Sequence, residues 1–153
     1  MTDTDEAFEE HPRFDRREAG VYALEGMDFE AWVRIDEGAI VVVDEVPTLD
    51  ATVVGETVAP VVQEGWLETF ERRVEDVSGV VDAPVDDPAV HRDGDVIRIE
   101  TRITFGDGAD PADAIAAANY VEGTWVEGII PGYDYDDRVS AIRERGRQNA
   151  SER

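Results

Sequence analysis

Hydrophobic and polar positions change period several times along the chain, and each change marks an element. Val21-Tyr22-Ala23-Leu24 form a short apolar run after Gly20 and stop at Glu25-Gly26-Met27-Asp28. From residue 29 to 36 the pattern alternates. Phe29, Ala31, Val33 and Ile35 share one face, and Glu30, Trp32, Arg34 and Asp36 share the other, the period of a half-buried antiparallel strand. Asp36-Glu37-Gly38 reads as a turn, and residues 39–46 are an almost continuous β-branched run that Pro47 ends. Between residues 59 and 77 the spacing becomes helical, with Val62, Trp66, Phe70, Val74 and Val77 on one stripe and Pro60 tolerated in the first turn. Ser78-Gly79 stop this helix. Past Pro84 and Pro88, residues 89–92 and 96–105 flank Asp93-Gly94, a dipeptide that suits a type I′ hairpin turn. In the second of these strands Ile97, Ile99, Thr101, Ile103 and Phe105 form one face. After a turn at Gly106-Asp107-Gly108, the cap Asp110 with Pro111 and Asp113 starts a helix that runs to about residue 127. A short third helix is expected over residues 137–145.

Strands grouped together, with helices between the groups, predict an α+β fold. The expectation is one antiparallel sheet of about five strands with two main helices packed on one face, in the order (α)-β-β-β-α-β-β-α-(α). Residues 1–19 read as an acidic N-terminal arm whose large apolar groups are Phe8 and Phe14, residues 20–145 as a single domain, and residues 146–153 as a tail. Trp32 falls on the polar side of its strand. It marks either an uncovered sheet face or a patch covered by the arm through Phe8 or Phe14.

Charge changes this picture most. The chain carries 37 acidic against 14 basic residues, a formal net charge of −23, and every basic residue is arginine. Such a charge opposes compaction through self-repulsion in dilute buffer, whereas near 1 M salt the Debye length falls to about 3 Å and the repulsion is screened. The composition therefore points to a salt-saturated cytoplasm. Scattered arginines give no phosphate-binding patch, so nucleic acid is not an expected partner. No stretch approaches the length of a membrane span, and residues 1–10 lack the positive start and apolar run of a signal peptide, so neither membrane nor export is expected. With no cysteine, disulfides, thiolate nucleophiles and Cys-ligated metals are excluded.

Candidate chemistry is sparse. Only His11 and His91 are present. The acids Glu64, Glu68, Glu71 and Glu75 read as a solvated helix face, and Asp107, Asp110 and Asp113 lack the glycine and terminal glutamate of a calcium loop. Nucleophile elbows, phosphate-binding loops, dinucleotide fingerprints and zinc motifs are absent from the sequence. No cofactor and no metal is expected, and the reading leans away from an enzyme. One conflict stands out in the helix after Asp110. If Ile115, Ala118, Trp125, Val126 and Ile129 form its apolar stripe, then Asn119 and Glu122 lie inside it, and a carboxylate there is desolvated with a raised pKa. With Tyr133 and Tyr135 beyond Pro131-Gly132, these groups sketch a pocket with an aromatic wall and one acid; alternatively Glu122 snorkels at the edge of the sheet or pairs with Arg98 or Arg102.

The segment from Gly20 to Val46, the run Asn119-Tyr120-Val121-Glu122-Gly123-Thr124-Trp125 and Gly132-Tyr133 resemble a small haloarchaeal family described only as a domain of unknown function. That resemblance implies no catalytic residues. The order of elements is similar to that of type III secretion chaperone-like and sensory-transduction-regulator-like proteins, which implies binding of other proteins and dimerisation, although a shared fold does not fix function.

The leading expectation is a non-enzymatic domain that binds another protein or itself, with Trp32, Asn119, Glu122, Trp125, Tyr133 and Tyr135 as candidate binding residues. A small-molecule binder or enzyme with a pocket around Glu122 and Trp125 is the alternative. The charge makes its own prediction: the chain loses compactness when moved from molar salt to dilute buffer. Circular dichroism that is unchanged between the two conditions overturns it.

Overall fold

The alternating segment and the β-branched run pair with each other and form the middle of the sheet. In the computed structural model, residues 3–105 and 110–151 are described, with side chains as far as Gln148. Six strands, β1 (Phe14–Glu18), β2 (Val21–Leu24), β3 (Glu30–Asp36), β4 (Ala39–Pro47), β5 (Ala89–Asp93) and β6 (Val96–Thr104), form one antiparallel sheet in the order β1-β2-β3-β4-β6-β5. Five helices accompany it: α1 (Asp3–Glu10), α2 (Leu49–Thr52), α3 (Pro60–Val74), α4 (Pro111–Glu127) and α5 (Asp137–Ser151), with a 3-10 segment (Glu75–Val80) continuing α3. The α+β class and the one-sided packing match the sequence expectation, with a sixth strand added.

That sixth strand is β1, which lies in the segment expected as an arm. Phe8 and Phe14 explain the difference. Phe8 is fully buried, with its ring edge-on to Phe14 at 4.8 Å and stacked on Tyr22 at 5.7 Å. Phe14 pairs with Leu24 across the β1–β2 ladder, and the Tyr22 hydroxyl donates to Asp5 Oδ1 at 3.1 Å. Two aromatic anchors are enough to dock α1 and β1. Both lie on the helix-covered side of the sheet, so they do not cover Trp32.

Other departures are local. The β5–β6 turn contains Gly94 and Asp95, and of the two only Gly94 has a positive φ, +62°, which is the pattern of glycine at the first central position and not of type I′. Helix α5 reaches Ser151, so much of the expected tail is helical. Helix α2 is too short to leave a periodic signal; it is defined by polar contacts, with Thr48 Oγ1 accepting from Ala51 N at 3.2 Å and Asp50 Oδ1 from Val58 N at 2.8 Å. The turn expected at Gly106-Asp107-Gly108 lies outside the described residues.

The core fills the space between one sheet face and the helices. Tyr22, Ala31, Val33, Ile40, Val42, Ile97, Ile99 and Ile103 point into it, and α4 lays Ala114, Ala117, Ala118, Val121 and Trp125 across them. The small alanines let the helix approach the sheet closely. Trp125 then fixes the other end, with its indole N–H donating to the Pro47 carbonyl at 2.8 Å and its ring edge-on to Phe29 at 4.9 Å and to Trp66 at 6.2 Å. Trp66 stacks on Phe70 and donates to the Gly128 carbonyl at 3.1 Å. A Cβ on Gly128 would sit 3.2 Å from Trp66 Nε1, so the close α3–α4 contact favours glycine there.

Because Phe8 is a core residue, Phe8→Ala is expected to destabilise the chain by about 3–5 kcal/mol, the usual range for an emptied aromatic site. Denaturant unfolding in molar KCl measures it. A loss below about 1 kcal/mol would return residues 1–19 to the status of an undocked arm.

Candidate functional site

Helix α4 begins where the sequence places its cap, with Asp110 Oδ1 accepting from Ala112 N at 2.9 Å and Pro111 in the first turn. Its buried stripe is Ala114, Ala117, Ala118, Val121, Thr124 and Trp125, and this differs from the stripe expected from sequence. Ile115 is only partly buried and Asn119 is exposed, because α4 is rotated to bring its alanines onto the sheet. Asn119 therefore lies outside the core-facing side. Glu122 sits at the edge of that side, half-buried.

Glu122 has a definite job there. Its Oε1 and Oε2 each accept from Asp28 N at 3.1 Å, and Oε2 also accepts from Phe29 N at 3.1 Å. These N–H groups end the β2–β3 loop, which no strand pairing satisfies. Asp28 in turn forms a close ion pair with Arg145 of α5. Neither arginine proposed as a partner is used: Arg98 bonds Glu45 at 3.2 Å and Arg102 bonds Asp36 at 2.7 Å, both on the opposite sheet face. Burial raises the Glu122 pKa, the backbone N–H groups pull it down, and the nearby Asp28 charge pushes it up again, leaving a net rise.

Glu122 and the four groups proposed around it do not line one cavity. Trp125 is 0% exposed and bonded to Pro47, Glu122 faces the β2–β3 loop, and Asn119 faces solvent. Tyr135 is buried with its hydroxyl donating to the Ile130 carbonyl and Arg143 over its ring at 5.4 Å, while Tyr133 lies edge-on to it at 6.4 Å. Residues 133–135 form part of the α5 junction, held also by the Val53–Tyr135 bridge.

Trp32 is different. It is partly exposed on the sheet face that carries no helix, opposite Val43 on β4 and Ala23 on β2. Arg98 lies over its ring at 5.7 Å. Beside it a concavity of about 680 Å³ opens, walled by Val21, Ala23, Trp32, Arg17 and the β2–β3 loop. Val41 and Val43 on the same face are nearly buried although no helix covers them, because the long Arg98, Arg102 and Trp32 side chains lie across the sheet. On β3, β4 and β6 this face presents Arg34, Arg98 and Arg102 against Glu30, Asp36, Glu45 and Glu100. Three cations against four anions leave these three strands one charge from neutral there, on a chain whose total is −23, while Glu18, Glu25 and Asp28 add acid at the wall of the concavity.

Two further polar groups lie in the core, and of these Asp44 escaped the sequence reading. Asp44 is 3% exposed, and it lies on the helix-covered face opposite Ala31 and Ile99 with no hydrogen-bond partner for Oδ2. Thr101, two residues along β6 from Ile99, is fully buried with Oγ1 unpaired. The signal was available: position 44 falls between Val42 and Val46 in the inward period of β4. Burial holds the Asp44 carboxyl well above the usual carboxylate range, and the neighbouring Glu122 charge adds to the rise.

From residue 9 to 145 the sequence matches a family of unknown function, DUF5813. The chain belongs to that family. Comparison with curated proteins and with solved structures returns no match. Among the described residues of this DUF5813 member, no helix is long and apolar enough to cross a membrane, and no three His, Asp or Glu side chains gather as they would around a metal ion.

The raised Asp44 pKa carries a pH signature for the DUF5813 chain. The folded state keeps a proton that the unfolded state releases near the ordinary Asp value of about 3.9, so this group's contribution is fully present below that value and is lost as pH rises toward the folded pKa. Asp44→Asn is expected to match the parent in stability at pH 4 and to exceed it increasingly above, by up to about 1.4 kcal/mol per pH unit. Unfolding curves of both proteins across that range provide the check, and a pH-independent difference overturns the assignment.

Proposed function

We propose that this chain is a non-enzymatic protein-interaction domain of a haloarchaeal, salt-saturated cytoplasm, chaperone-like or self-associating, that docks its partner on the open sheet face around Trp32. The observation that carries the reading is the contrast between the two sheet faces. One is sealed by helices; the other holds an aromatic ring, a concavity and a patch close to neutral. In a cytoplasm where proteins share a strongly acidic surface, contact through most of this chain's surface sets like charges against each other. The patch around Trp32 is where an acidic neighbour, or a second copy, approaches with the least repulsion. A partly exposed tryptophan flanked by arginines also has the composition favoured at interaction hot spots.

The similarity in element order to type III secretion chaperone-like and sensory-transduction-regulator-like proteins is compatible with this reading and adds no residue to it. The competing pocket around Glu122 and Trp125 has less support, since Trp125 is sealed and Glu122 is occupied by the β2–β3 loop.

Light scattering on a size-exclusion column in molar KCl tests self-association, and pull-down from a lysate in the same salt tests other partners. Trp32→Arg is expected to weaken the complex at least tenfold, because it replaces the ring with a charge beside Arg98 and Arg34. A monomer that captures nothing, or a complex indifferent to Trp32→Arg, sinks the reading.

A further inference from the structure

Among the described residues Asp44 is the one buried acid, and it sits beside the element that fastens the β2–β3 loop. Its cross-strand neighbour Ala31 lies two residues along the same sheet face from Phe29, whose N–H Glu122 holds. The two carboxyls therefore belong to one region under α4, one on the sheet and one on the helix. Their surroundings differ. Asp44 is almost wholly buried, and its Oδ2 and the Thr101 Oγ1 are without partners, whereas Glu122 is half-buried at the rim and can swing outward. The charged groups facing this region are Glu122 from α4, Asp28 from the loop and, through Asp28, Arg145 from α5. From β3 and β6 come Ala31, Ile99 and Thr101, which carry no charge, while Glu45, Arg98 and Glu100 face the open side.

We propose that Asp44 and Glu122 form a proton-operated latch on the β2–β3 loop. With Asp44 protonated, a charged Glu122 accepts the Asp28 and Phe29 N–H groups and keeps the loop closed on α4. When the Asp44 carboxyl gives its proton to bulk water, two anions share a poorly solvated site, and a pair of that kind does not stay ionised in place. Glu122 is the one free to move. It leaves the two N–H groups for solvent, and the loop opens together with its Asp28–Arg145 tie to α5. Residues of that loop wall the concavity next to Trp32, so the latch reshapes the open face without altering the sheet.

Amide exchange in molar KCl from pH 5 to 9 reads the latch directly, with each rate corrected for the intrinsic effect of pH. The Asp28 and Phe29 amides are expected to hold constant protection on the acid side and to lose it about tenfold per pH unit once Asp44 ionises, as one released proton requires. Amides of β4, which exchange through global unfolding, follow the overall stability and stay better protected than the loop amides at every pH. Asp44→Asn should leave the loop amides protected at every pH. Glu122→Gln, which cannot place a second charge in the site, should give weaker protection that no longer depends on pH, and it serves as the independent test where Asp44→Asn fails to fold. Loop protection that is flat in the parent protein, a pH-dependent loss that persists in Asp44→Asn or Glu122→Gln, or loop amides that exchange no faster than those of β4 would each overturn the latch. None of these readouts depends on a docking partner.

Discussion

The contact of α4 with the sheet is the constraint on which the rest depends. Its alanines bring the helix close to β4 and β6, and Trp125 then fills the space left between Phe29, Trp66 and the sheet, with its one polar atom satisfied by Pro47. A buried tryptophan needs both an apolar surround and a hydrogen-bond acceptor, and few positions offer both. Once that ring is seated, α3 follows through Trp66 and Gly128, and the β2–β3 loop follows through Phe29. The rotation of α4 is set at the same time, which carries Glu122 to the rim and turns Asn119 out.

This packing leaves two polar problems that are solved differently. Two N–H groups at the end of the β2–β3 loop are met by Glu122, which compensates a carboxylate for its partial burial. Asp44 lacks that compensation. A β-branched residue would have served at position 44, so an acid there works against stability above the ordinary Asp range, and burial raises its pKa in the folded state. The two acids answer to each other as well as to the solvent, which ties the loop to the interior of the sheet.

The middle of the helix-free face is close to charge balance. There, arginines and acids alternate across β3, β4 and β6, and the long arginine stems cover Val41 and Val43 as a helix would. A sheet face shielded by side chains stays soluble while keeping an aromatic ring accessible.

Local signals in the sequence determined a good deal. Strong alternation located β3 and β6, the β-branched run located β4, and Asp110 with Pro111 marked the start of α4, because these signals act within a few residues. β1 and α2 were not legible, since a five-residue polar strand and a single helical turn carry no period. The candidate site was half legible. The conflict at Glu122 and the exposed side of Trp32 follow from periodicity, but Asn119 was misplaced because an alanine-rich helix is apolar over too wide an arc to define its own rotation. Which arc faces the sheet, which groups Glu122 bonds, where Phe8 and Phe14 dock and whether position 44 lies under a helix are decided by contacts between segments far apart in the chain. The sequence by itself determines where the strongly patterned elements form and how strongly the chain is charged; only the tertiary structure decides which of its acids is buried, because burial depends on what packs above a residue and not on its neighbours in the chain.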